Sequence, residues 1–101
     1  MHIGGDAMEK VMYLCVKSTD GVIRELFREV VDDHGRRCQM LNYLDGEWIP
    51  SKEADDAFDH VGEYAFGTRT PSAEEVEKEI AYAKSGIVLE AIKKLRAERG
   101  L

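Results

Sequence analysis

At 101 residues, with 44% apolar and 34% charged side chains, the chain has the size and composition of one folded domain, not of a disordered tail. Its net charge of −6, with no stripe of Lys and Arg, argues against gripping a phosphate backbone, so no nucleic-acid partner is expected. No apolar run approaches the roughly 20 residues that span a bilayer, and the cytoplasm is the expected compartment.

Residues 1–7 lack a basic region followed by an apolar one, and read as a mobile leader to a single domain over residues 8–101. The run Val11-Met12-Tyr13-Leu14-Cys15-Val16 is too short and too β-branched to favour a helix. It predicts a central strand buried on both faces.

The stretch 22–50 holds most of the bulky apolar residues and has two readings. Val22, Ile23, Leu26, Phe27, Val30 and Val31 recur at helical spacing, which would give a helix over residues 20–34 within a strand, helix, hairpin, helix order. The turn chemistry favours the other reading, because Thr19-Asp20-Gly21, Asp32-Asp33-His34-Gly35 and Asp45-Gly46 fall about a strand length apart. They predict an antiparallel meander of three to four strands, with Gly35 at positive φ after a type I turn and Asp45-Gly46 as a two-residue type I′ turn. Strict alternation then leaves neither face of residues 22–31 cleanly apolar. A bulge, or a projecting two-stranded end with Arg and Glu paired across strands, would resolve this. Trp48 and Ile49 form the return strand, which Pro50 ends.

Residues 51–62 predict a short helix capped by Ser51, with Ala54, Ala57, Phe58 and Val61 as its apolar stripe. An extended connector follows through Tyr64 and Phe66. Ser72 and Glu75 then form a capping box, and Glu74, Glu77 and Glu79 suit the positive end of a helix dipole. The apolar positions Val76, Ile80, Ala83, Ile87, Val88, Ala91, Ile92 and Leu95 stay in phase through Ser85-Gly86. Their continuity predicts one long C-terminal helix of about 27 residues, about 40 Å, with a break at Ser85-Gly86 as the alternative. The fold class is α+β.

Function is less legible. There is no nucleophile elbow, phosphate loop or metalloprotease motif, so neither catalysis nor a cofactor is expected. Asp56, Asp59 and His60 have a spacing that metal sites use, yet no fourth ligand accompanies them and no metal site is expected. Cys15 and Cys38 belong to no Cys cluster and read as buried, reduced thiols. Five of the six charges in residues 51–68 are acidic. The expected function is therefore a protein-interaction or regulatory module of inhibitor, immunity or adaptor type. Its partner-binding surface would be built from Trp48, Asp55, Asp56, Asp59, Glu63 and Tyr64. A helix longer than its sheet would leave Ile87, Val88, Ala91, Ile92 and Leu95 to form a homodimer. The alternatives are a small enzyme or ligand binder using Tyr43, His34 or His60 in a pocket between sheet and helix, and a structural component of a larger assembly.

Overall fold

The computed structural model describes residues 9–60 and 68–100. The meander is the observed arrangement: β1 (Lys10–Lys17), β2 (Ile23–Asp32), β3 (Gly35–Leu41) and β4 (Trp48–Pro50) run antiparallel, followed by α1 (Lys52–Asp59), β5 (Thr68–Arg69), α2 (Ala73–Lys84) and α3 (Ile87–Glu98). The sheet order is β4-β3-β2-β1-β5, so the centre is β2. β1 was expected there; among the described residues its outer edge pairs with β5 at Cys15 and Val16, and Met12 on the same strand is 59% exposed.

The mixed faces of β2 are resolved by a bulge. Val16 pairs with Glu25 but Lys17 pairs with Ile23, so Arg24 is the extra residue and the phase shifts there. Towards the β2–β3 turn, the charges pair between strands. Arg36 Nε meets Glu29 Oε2 at 2.5 Å, and the Arg37 guanidinium grips both Asp32 oxygens at 2.8 and 3.2 Å. Gly35 has φ 112° as the turn chemistry requires. The β3–β4 connection is longer than the expected two-residue turn. The Asn42 N–H donates to the Glu47 carbonyl and the Gly46 N–H to the Asn42 carbonyl, while the Asn42 side chain accepts from Leu44 N–H. That side-chain turn ends β3 at Leu41 and frees Tyr43 to face α2.

Each sheet face carries its own core. On one, Leu14, Phe27 and Cys38 pack under Ala54 and Ala57 of α1; on the other, Cys15, Leu26 and Leu41 pack under Val76 and Ala83 of α2. Alternation along β1 and β2 creates this division, because neighbouring residues point to opposite faces. Burying Phe27 or Leu26 completely contributes about 1.5–3 kcal/mol each. α1 crosses one face between β4 and β5, and α2 returns over the other, so the sheet is a middle layer. Two bonds one turn apart fasten α2: Lys17 Nζ to Glu75 Oε2 at 2.6 Å, and Tyr43 Oη to Glu79 Oε1 at 2.5 Å. Glu75 also completes the capping box with Ser72.

The C-terminal helix is not continuous. Gly86 takes φ 81°, the left-handed conformation that ends α2. Ser85 Oγ donates to the Tyr82 carbonyl at 2.6 Å and accepts from Ile87 N–H at 3.2 Å, closing one helix and opening the next. The result is two helices of 12 residues each. No helix among the described residues is long and apolar enough to cross a membrane.

Candidate interaction surfaces

α3 is set off from the body by the Ser85-Gly86 break, and none of its residues is buried. Ile87, Val88, Ala91, Ile92 and Leu95, singled out above for dimerisation, lie on one broad face of it. Ile87 and Leu95 are 56% and 52% exposed, while Val88 and Ile92 are half-buried at its inner side. The helix is also the basic part of an acidic protein. Glu90 and Glu98 stand against Lys93, Lys94, Arg96 and Arg99, giving +2 for residues 87–101, and the chain total of −6 leaves −8 for residues 1–86.

Where α3 leaves α2, a cleft of about 380 Å³ opens, lined by Val22, Ile23, Tyr43, Glu79, Tyr82 and Val88. Burial raises the Tyr43 hydroxyl's pKa well above its ordinary value, and the adjacent Glu79 carboxylate raises it further. Tyr43 is thus held as a neutral donor to Glu79, with its ring 6.3 Å from that of Tyr82. The bond locks the β3–β4 connection to α2.

The other expected site residues are spread out. Asp55, Asp56 and Asp59 lie on α1, whereas Trp48 packs with the core on the opposite face of the sheet. Glu63 and Tyr64 fall outside the described residues. Several acids of α1 have partners within the chain: Asp59 bonds Arg36 at 2.9 Å and Asp56 lies 3.8 Å from Lys52. Glu53 approaches Glu25, whose pKa is raised by burial first and by the Glu53 hydrogen bond and charge next. His34 sits in the β2–β3 turn with its N–H on Asp32 Oδ1 at 2.8 Å, and His60 ends α1. Tyr43, His34 and His60 therefore do not converge on one pocket. Among the described residues, no three His, Cys, Asp or Glu side chains are gathered as a metal would require. Cys15 and Cys38 are free and belong to the cores on opposite faces. Burial raises both thiols, Cys38 to about 11, which keeps them protonated and unreactive at neutral pH.

One constellation was not anticipated. Tyr13, Arg28 and Gln39 are register partners across β1, β2 and β3, and they share a face with Trp48. The Arg28 guanidinium lies 4.5 Å over the Trp48 ring and its Nε donates to Gln39 Oε1 at 2.7 Å; the Tyr13 ring is 6.1 Å from that of Trp48. Its trace in the sequence is an arginine interrupting the apolar alternation Leu26, Arg28, Val30. Comparison of the chain with protein-family models, with curated proteins and with solved structures gives no match.

Proposed function

We propose that the protein is a cytoplasmic, non-enzymatic interaction module of adaptor or inhibitor type that pairs with a second copy of itself through α3. The observation that carries this is α3 itself: a 12-residue helix with Ile87, Val88, Leu89, Ala91, Ile92 and Leu95 and no buried residue. A helix whose apolar residues are at most half-buried in its own domain gains little from packing, and a surface supplied from outside would add to its stability. Charge favours the body of another copy as that surface. Residues 87–101 carry +2 and the rest of the chain −8, so reciprocal docking of each α3 on the other body joins opposite signs. Pairing the two α3 helices directly would join like charges.

Light scattering on the full chain and on the Ile87→Glu/Leu95→Glu variant tests the reading. Both positions are exposed, so the substitutions leave each monomer folded. The full chain is expected at twice the chain mass and the variant at the chain mass. A full chain that stays monomeric up to millimolar concentration, or a dimer that survives both substitutions, overturns it.

A further inference from the structure

We infer that Arg28, held over the ring of Trp48, is the receptor for an external oxyanion, a carboxylate or a phosphate, on the sheet face beside α2. The neighbouring arginines show what this chain does with a guanidinium that it neutralises itself: Arg36 bonds Glu29 and Asp59, and Arg37 bonds Asp32 through both terminal nitrogens. Arg28 is half-buried, yet no carboxylate among the described residues bonds it. Among the described residues its one hydrogen bond uses Nε on the neutral amide of Gln39. The four N–H groups of the terminal nitrogens, the fork that grips an oxyanion through two parallel bonds, meet no acceptor among the described residues.

The fork is also prearranged. The contact with the Trp48 ring and the bond to Gln39 hold its position, so little side-chain freedom is lost on binding. The charges around it set the balance of the local field. Arg37, on the same face, adds its positive charge to that of Arg28, while Glu9 acts in the other direction without bonding it. A cleft of about 340 Å³ lies on the far side of this constellation's Tyr13, the register partner of Arg28, and is lined also by Pro71, Ala73, Val76 and Glu77; Arg28 does not line it, and the anion is held by the fork alone. This inference is independent of the role given to α3.

Trp48, the single tryptophan, reports on the site directly. The full chain is titrated with sodium phosphate and, separately, with sodium acetate at pH 7, with chloride holding the ionic strength constant, and Trp48 emission is read. A saturable change with one of the two anions is expected, and which of them produces it identifies the source. Arg28→Gln should abolish saturation and Arg24→Gln, on the bulge, should leave it unchanged. Arg28→Lys keeps the charge without the fork and should weaken binding about 10-fold. It decides the matter if the glutamine variant does not fold. Emission that follows chloride alone, or a saturation curve that Arg28→Gln or a folded Arg28→Lys leaves unmoved, overturns the assignment.

Discussion

Asp32 and Glu25 lie on the same strand and respond to pH in opposite directions. The Arg37 guanidinium, helped by the His34 N–H, holds Asp32 down from 3.8 to about 2. Its folded pKa is depressed, so its contribution to stability is present above 3.8 and is lost as pH falls to about 2. Asp32→Asn should therefore lower the thermal midpoint at pH 7 and match the wild type near pH 2. Glu25 behaves in reverse, because burial and Glu53 raise its pKa. The folded state prefers the protonated form, so stability is fully present below the ordinary carboxylate pKa and is lost as pH rises through the folded value. Glu25→Gln should raise the midpoint at pH 7, with the gain disappearing below about pH 4. Thermal scans of both variants across this range check the two signs; a parallel response would show that the assigned neighbours do not control these carboxylates.

At the scale of elements, the turn glycines differ in what surrounds them. Gly46 has φ 78°, and a Cβ there would lie 2.3 Å from Lys84 Cγ and 3.1 Å from the Lys84 backbone. Gly86 has φ 81° with nothing within 4 Å. Gly46→Ala should cost about 2 kcal/mol or more, combining left-handed strain with displacement of the α2 terminus. Gly86→Ala should cost about 1 kcal/mol at most, because the chain can relieve the strain by running α2 straight into α3. Denaturant midpoints measure both, and equal losses would mean that the turn does not hold α2. The same pair shows how far the elements were legible. Asp45-Gly46 announced a turn, but its length depended on the Asn42 side chain and on Tyr43 reaching Glu79, a contact 36 positions distant in the chain. The capping box at Ser72 is local and was fully legible. The break at Gly86 was not, since apolar phase is unchanged whether a helix continues or restarts. The Ser85 side-chain bonds and the left-handed glycine decide it.

For the whole molecule, the alternation of β1 and β2 implied buried strands but did not assign a helix to each face. That assignment follows from the crossing of α1 between opposite sheet edges, which depends on pairings between β5 and β1 too distant to read locally. The same limit separated Trp48 from Asp55, Asp56 and Asp59, which neighbour one another in sequence but lie on opposite sides of the sheet. It also hid Arg28, whose meaning comes from residues on three other strands. The dimer reading keeps the residues named on α3 but changes the geometry, from an overlong helix projecting past its sheet to a separate helix after a hinge.

A sheet that serves two cores at once has a consequence for how this protein can change over time. Phe27 and Val76 belong to different cores, so Phe27→Leu and Val76→Ala should have stability losses that add to within about 0.5 kcal/mol in a double-mutant cycle. A larger coupling would mean that the sheet transmits packing from one side to the other. If the two add, mutation and drift can rebuild the α1 side while the α2 side, with its lock at Tyr43 and its arginine over Trp48, keeps working. Descendants of this chain could then diverge on one face and remain recognisable only on the other.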